Sequence, residues 1–586
     1  MYLDFLVKIP DAPGKLLFEK RGDITYIKYE YDRIYDVERK YTLPKRATIG
    51  KLSKSDKTML QPNQTFLTYF PDTELPLPES RTDRSSCIRI GAYAVIKKII
   101  SDYKLDEILG LYFKEKDLGL FLDLATYSII TENNAGQYYP DYTFSHPLFT
   151  KDMKIYSDST VSDFLHSMTD DQSVGFLNEW NATRNHREKI YISYDSTNKN
   201  CQAGDIEMVE FGKPKIDIDA PIFNYSIAYD TKNKEPLFYE KYPGSIVDVS
   251  QLRLMLDKAV GYGYKKIGFI LDRGYFSKKN IEHMDACGYS FVIMVKGMAS
   301  FVNQLILENL GSFEKKRSCD MDGYGVYGKT VKRKLYESDE KERYFHIYHS
   351  VSKEAAERAQ FEAKLKKMKA YLMEHVNEEI DFGSTFQKYF YMHYDEQSEV
   401  FLYPEERISV TEKEIELCGY FVIITSDKMT AKEALHLYKS RDGSEKLFRG
   451  DKSYLGNKSI RVCSDESASS KIFIEFIALI IRNKIYTCLM DEMKKMDKKP
   501  NYMTVPAAIR ELEKIEMSRQ TDNVYRLDHA ITATRKTILG AFGLNENTIK
   551  YRADEIRNTL KNIKGKKWED NYYGKNSQFR GARTED

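Results

Sequence analysis

Cysteine is scarce: Cys87, Cys201, Cys287, Cys319, Cys418, Cys463 and Cys488 are the only seven in 586 residues, an odd number with no Cys-x-x-Cys pair. That excludes a disulfide framework and a zinc ribbon and fits a reducing compartment. Long apolar runs are missing as well; Ile472 to Ile481 is interrupted by charge, and nothing is long enough to span a bilayer. Met1 to Asp11 carries no basic stretch followed by a long apolar one, so no secretory leader is expected. An excess of one charge is absent: 90 basic against 88 acidic residues leave +2, so attraction to a polyanion must come from local patches. No internal repeat is found, and no Ser/His/Asp or Cys/His signature points to a covalent intermediate.

What is present is a globular composition, with 42% hydrophobic and 30% charged residues and an abundance of Tyr (44) and Phe (30). The length allows roughly three or four domains. One stretch is locally basic: Arg39, Lys40, Lys45, Arg46, Lys51, Lys54 and Lys57 face a single acid, Asp56, around Pro44 and Gly50. It reads as a phosphate-gripping segment or, equally, as a solvated surface ribbon.

The periodicity changes along the chain. Residues 1–70 are Tyr-rich and alternating from Ile24 to Ile49, which predicts a β-rich module. Over 71–185, apolar residues recur at three- and four-residue spacing in Gly91 to Lys98, Leu105 to Phe113, Leu118 to Thr131 and Val161 to Trp180, predicting a helical domain. Strands then dominate: Lys189 to Asp195, a hairpin of Ile222 to Asp230 and Glu235 to Lys241, a helix over Val247 to Tyr262, and Lys266 to Asp272, apolar on both faces as a covered central strand is. A helix over Ser277 to Cys287 and a strand over Ser290 to Lys296 follow. Three strands in meander, then helix, strand, helix, strand, is the order of an RNase H-like α/β sheet, whose first part would occupy 186–296.

Residues 297–416 break that rhythm with short strands (Tyr324 to Val331, Tyr344 to Ser350, Thr385 to Tyr394) and one charged helix, Lys353 to His375. They predict a β-rich insertion subdomain. The core resumes over 417–496 with the strand Gly419 to Thr425, a helix from about Thr430 and the apolar helix Ser470 to Met490. Residues 497–586 offer two helical stretches, Val505 to Met517 and Glu546 to Ile563, and a charged end from Lys564 that is expected to be loose.

Asp195 closes the first core strand and Asp272 the central one, which puts both carboxylates at one rim of the sheet. An aspartate ending a strand is usually a turn or cap residue, so the pair needs a third partner to carry chemistry. The helix after Thr425 supplies Tyr438, Arg441, Glu445 and Lys452, which fall within roughly 60° of one another at about 100° per residue. The same face also reads as a surface with an Arg441 to Glu445 ion pair, and Gly443 and Gly450 would weaken the helix before Lys452.

That face reproduces a Tyr-(2)-Arg-(3)-Glu-(6)-Lys spacing, and with Tyr-Asp195-Ser-Thr and Leu-Asp272-Arg-Gly-Tyr275 it resembles the DDE transposases of bacterial insertion sequences that carry the YREK signature. The resemblance covers about 186–490 and extends to the β-rich insertion and to the Tyr-rich strands ending in Lys-Arg-Ala-Thr-Ile-Gly-Lys51. It implies a nuclease and strand transferase with Asp195, Asp272 and Glu445 holding two Mg²⁺ ions, Mn²⁺ being able to substitute. Asp195 would bridge both ions. Tyr438, Arg441, Lys452 and Tyr275 would contact DNA, and relatives form a hairpin at the transposon end. The implied partners are double-stranded DNA, transposon ends and target alike, bound by the N-terminal modules, and a second copy forming a dimer on it, in the bacterial cytoplasm at the nucleoid and without a membrane. Two other readings keep the scaffold: a domesticated DNA-binding protein, and a nuclease without strand transfer.

Other candidates favour structural roles. Trp180 and Trp568 are candidates to stack on an extruded base, but Trp180 lies on an apolar helix face and reads as core. His346 and His349, three apart in a strand, would point to opposite faces. Asp217 and Asp219 precede the second core strand and read as solvated loop residues.

Overall fold

The computed structural model describes residues 2–3, 5–36, 40–54, 56–75, 84–184, 188–201, 206–212, 221–246, 248–395, 397, 399–456, 459–462, 464–497, 499–520 and 524–562. The chain divides into two compact units: Met1–Ser167 with Lys484–Asp586, and Met168–Asn483.

The first unit opens with a five-stranded antiparallel sheet ordered Val7–Lys8, Met59–Pro62, Tyr41–Leu52, Ile24–Asp36 and Lys15–Arg21. Alternation puts Val7, Ile27, Ile49 and Leu60 on the face that packs with Phe66. Helices follow, among them Gly91–Tyr103 and Glu115–Thr131. The helix expected over Val161 to Trp180 is two, Asp158–Ser167 and Asp170–Ala182, because Thr169 and Gln172 form a capping box that starts a new one at the boundary of the units. The helix expected over Val505 to Met517 stops at Leu512, and Met517 instead lies in the strand Glu516–Arg519, between Cys87–Arg89 and Tyr525–Leu527.

The second unit is built on a 10-stranded sheet. Its strands are β1 (Ile190–Cys201), β2 (Ile222–Asp230), β3 (Glu235–Pro243), β4 (Ile267–Leu271), β5 (Ser290–Met294), β6 (Asp320–Met321), β7 (Val326–Arg333), β8 (Arg343–His349) and β9 (Tyr420–Thr425). Their spatial order is β6-β7-β8-β9-β5-β4-β1-β2-β3, and Ser459–Ile460 pairs with the far end of β1. Among the described residues of this sheet, only β4 with β1, β4 with β5, and Ser459–Ile460 with β1 run parallel. The parallel β1, β4 and β5 are joined through α1 (Asp248–Gly261) and α2 (Lys278–Ala286). All five residues of β4 are buried, as a strand covered on both faces demands.

The segment expected as a separate insertion is divided. Strands β7 and β8 join the main sheet through β9, because Phe345 and Ile347 on β8 bury against the apolar β9. Only the part after β8 forms its own core: α3 (Val351–Glu374) lays Leu365, Met368 and Leu372 on Phe382, Tyr389, Phe390 and Phe401. Within the stretch expected as the strand Thr385 to Tyr394, Ser384–Gln387 is a helical turn and Phe390–Tyr394 the strand. After β9 come α4 (Ala431–Ser440), α5 (Asp442–Tyr454) and α6 (Asp465–Met493). Thr430 and Glu433 cap α4 reciprocally, each accepting the other's backbone N–H. Among the described residues no helix is long and apolar enough to cross a membrane.

Gly443 explains how α5 can lie so near β2: a Cβ there would meet the Tyr229 ring at 2.8 Å. Gly443→Val should lower stability by about 1–3 kcal/mol by overpacking this contact, seen as a lower urea midpoint with an unchanged slope; an unshifted midpoint would show that α5 stands off the sheet.

Candidate active site

Tyr194 and Leu271 are the last registered pair between β1 and β4, and an aspartate follows each. Asp195 and Asp272 therefore leave neighbouring strands at one level. The sequence expectation that Asp195 ends its strand does not hold: β1 continues to Cys201 against β2, and the rim exists because β4 stops at Leu271. Ser193, Asp195 and Lys199 share one face of β1, since side chains alternate along a strand.

The third acid arrives on α5. Arg441 sits at the junction of α4 and α5 with helical backbone angles (φ −57°, ψ −25°), so the expected face survives the junction, and α5 runs to Tyr454 rather than failing at Gly450. Tyr438, Arg441, Glu445 and Lys452 line one cavity of about 920 Å³ together with Asp195 and Asp272. Arg441 is its hub. Its Nη2 lies 2.6 Å from Glu445 Oε1, and its Nη1 lies 3.5 Å from Asp272 Oδ1 and 4.0 Å from Asp195 Oδ2. The Arg441 side chain is only 17% exposed, against 48% for that of Glu445. Burial works against its charge, but Tyr438, Asp272, Glu445 and Asp195 outweigh it and hold its pKa above the ordinary value. Burial also pushes the Tyr438 phenol up to about 12 against the pull of Arg441, so it stays a hydrogen-bond donor at neutral pH.

Two interactions hold α5 on β1. The Ser444 hydroxyl donates to the Arg441 carbonyl (2.8 Å) and shares a buried hydrogen bond with Ser193 (2.9 Å). Farther along, the fully buried Lys199 ammonium meets Asp451 of α5 at 2.8 Å and Glu475 of α6 at 3.0 Å, 4.8 Å from the centre of the Tyr225 ring. Glu445 lies between these two anchor points of its helix.

The acids form an all-oxygen donor set, which suits a hard divalent cation such as Mg²⁺ rather than Zn²⁺. Among the described residues, however, no three His, Cys, Asp or Glu side chains are gathered as a metal shell. Asp195, Asp272 and Glu445 are instead spread around Arg441, whose charge answers their mutual repulsion. The donor chemistry thus fits, with the guanidinium standing where cationic charge is called for.

One expected contact is not made. Tyr275 is 3% exposed and packs on Tyr194 with ring centroids 5.2 Å apart, so its ring is part of the core under the rim and cannot touch DNA as placed. Conversely, Arg273 and Arg449 line the cavity and were not singled out from sequence. Arg449 stands one helical turn beyond Glu445, a spacing that could have revealed it; Arg273 sits beside Asp272, where nothing distinguished it from a turn residue. Trp180 is fully buried, and its indole N–H donates to the Pro236 carbonyl at 3.0 Å. His346 is buried between Thr330 and Thr425, its imidazole pushed down to about 4, while His349 pairs with Glu354, so the two rings hold no common ion. Asp217, Asp219, Trp568, Cys463 and the end from Lys564 lie outside the described residues.

Residues 195–481 match the protein family described as Transposase DDE domain. The matched span starts at Asp195 and contains Asp272 and Glu445. A comparison with curated proteins finds no match. Among solved structures, the cryo-EM structure of a piggyBac transposase synaptic complex with hairpin DNA aligns over 82% of this chain and 85% of that one, at 7% identity and a TM-score of 0.34.

Lys199→Ala would remove the buried ammonium that meets both Asp451 and Glu475 and should destabilise the protein by about 3–5 kcal/mol. Chemical unfolding measures this, and a loss below about 1 kcal/mol would mean that water reaches the pair.

Proposed function

We propose that the chain is a DNA transposase that binds the ends of a mobile element, hydrolyses a phosphodiester bond there and joins the end to target DNA. The observation that carries this reading is the meeting of Asp195, Asp272 and Glu445, up to 250 positions apart, around Arg441 in one open cavity. The Transposase DDE domain match over the same residues supports it. So does the strand order β3-β2-β1-β4-β5, with its first three strands antiparallel and the next two parallel, which we read as an RNase H-like core.

Asp195, Asp272 and Glu445 would hold the Mg²⁺ ions, two in number, with Mn²⁺ able to substitute. When bound, such ions activate a water or 3′-hydroxyl for in-line attack and stabilise the leaving oxygen. The protein's own part is to place the phosphodiester. Arg441 would offer a planar fork to phosphate oxygens, and Lys452 would add a point charge. Arg273 and Arg449, which have no carboxylate partner among the described residues, extend the cationic wall along the strand. Tyr438 keeps its proton and donates to the backbone beside the scissile bond. The resemblance further implies a hairpin end with a turned-out base, which this face would hold. Joining two ends needs two such sites, so the working form is a dimer on duplex DNA, acting at the bacterial nucleoid, with residues 1–70 and 71–185 helping to bind the ends.

Asp195→Asn or Glu445→Gln should lower Mg²⁺-dependent cleavage of an end duplex by roughly 10³-fold or more while leaving end binding intact, and a chelator should do the same to the parent chain. Cleavage that persists in either variant would remove the acids from the chemistry. A pre-cut end with a free 3′-hydroxyl should become joined to plasmid DNA; cutting without joining would reduce the chain to a nuclease. Arg449→Ala should reduce the salt dependence of binding by about one phosphate's worth, a slope change near 1 in log K against log salt, and an unchanged slope would place Arg449 off the DNA.

A further inference from the structure

Asp195 and Glu445 reach the cavity from different elements, and ties between those elements lie beside each of them. On β1, Ser193 and Lys199 share the face that carries Asp195. On α5, Ser444 and Asp451 stand about two turns apart on one side of the helix, and both are buried. The Ser193 and Ser444 hydroxyls meet at 2.9 Å, and the Lys199 ammonium meets the Asp451 carboxylate at 2.8 Å. Glu445 is the residue after Ser444, about 100° around the helix, so it leaves the buried side, and its side chain is 48% exposed.

Two ties at that separation stop α5 from sliding along β1 or swinging across it. A roll about the line between them is opposed by the buried Leu447 and Phe448. The margin is small: a helical side chain ends about 5–6 Å from the axis, so a turn of about 20° would carry the Glu445 carboxylate about 2 Å, outside the roughly 0.5 Å within which a catalytic constellation must be held. Around the second tie, Lys199, Lys471, Asp451 and Glu475 are all buried, two ammoniums among two carboxylates. Glu475 accepts from Lys199 at 3.0 Å, but it belongs to α6, as does Lys471. Of the two carboxylates, only Asp451 joins the ammonium to the helix of Glu445. A buried cluster of this kind adds little net stability over apolar side chains of the same size; what it adds is one permitted geometry.

We propose that Asp451 is a positioning residue: through Lys199 it holds α5 in the register that brings Glu445 to Asp195, while Glu475 balances charge without setting that register. What the register serves rests on the reading of the acid cavity as a site of phosphodiester cleavage; the tie between helix and strand does not. Asp451→Asn and Glu475→Gln separate the two roles. Each replaces one carboxylate by an amide of the same shape and leaves Lys199 the other carboxylate, but only Asp451→Asn removes the ionic tie between β1 and α5.

In the full chain, hydrogen exchange at the amides of residues 446–454 should quicken roughly tenfold or more in Asp451→Asn and keep the parent's rate in Glu475→Gln. With saturating end duplex and Mg²⁺, kcat should fall roughly tenfold to a hundredfold in Asp451→Asn at an unchanged duplex Kd, and Glu475→Gln should cleave as the parent does. Should Asp451→Asn not fold, Lys199→Met combined with Asp451→Leu removes the tie and leaves Glu475 with Lys471 on α6. That double variant should melt near the parent and still show the quickened exchange and the lowered kcat. Single variants that exchange and cleave alike, a double variant with the parent's kcat, or one that melts far below the parent would each overturn the proposal. Exchange that separates the two variants in a chain that never cuts DNA with Mg²⁺ would leave Asp451 holding the helix and remove the cleavage reading. A parent that cuts while both variants match it would do the reverse.

Discussion

Lys199 has no access to water, and its ammonium is held between Asp451 of α5 and Glu475 of α6. A buried ion pair of this kind contributes little net stability compared with apolar residues of the same size, yet removing one partner is strongly destabilising. What it fixes is register: α5 cannot slide or turn on β1 without separating charges that have no solvent to receive them. The Ser193 to Ser444 hydrogen bond does the same two helical turns earlier, and Gly443 lets the backbone come close enough for both. Asp195 belongs to the strand and Glu445 to the helix, so the clamp sets the distance between two of the acids, while the end of β4 sets the third.

At the cavity the chain has solved an electrostatic problem by itself. Three carboxylates at one rim repel one another, and Arg441 answers them with a single planar cation within 4.0 Å of all three. The same guanidinium is the natural ligand of a phosphodiester. On the account proposed, these roles are exclusive: while Arg441 neutralises the acids it is withheld from the substrate, and divalent ions at the acids would free it. Substrate and metal would then favour each other's binding, since each takes over a charge the other leaves unanswered.

Much of this was legible in the sequence, and the misses have physical causes. The strands of the core, their order and the helix face carrying Tyr438, Arg441, Glu445 and Lys452 follow from periods of two and 3.6 residues that burial imposes locally. Strand ends did not follow: β1 runs past Asp195 because β2 pairs along its full length, a long-range fact. Strands β7 and β8 read as a separate insertion because sequence shows that a strand exists, not which sheet receives it. Tyr275 looked like a DNA contact from its motif, but its ring is drawn under the rim by Tyr194. The buried Lys199 gave no signal, since Lys is ordinarily a surface residue, and Asp451 beside Lys452 looked like one more helix-surface acid. The short helix Ala533–Gly540 was missed because eight residues hold barely two turns of apolar pattern.

The central claim is that Asp195, Asp272 and Glu445 act as one site for divalent metal. Electron paramagnetic resonance of Mn²⁺ bound to the full chain with an end duplex tests it most directly. The account predicts a bound-Mn²⁺ signal that disappears or weakens sharply when any one of the three acids is replaced by its amide, in a protein that still folds and still binds the duplex. The same signal, unchanged in all three variants, would contradict it.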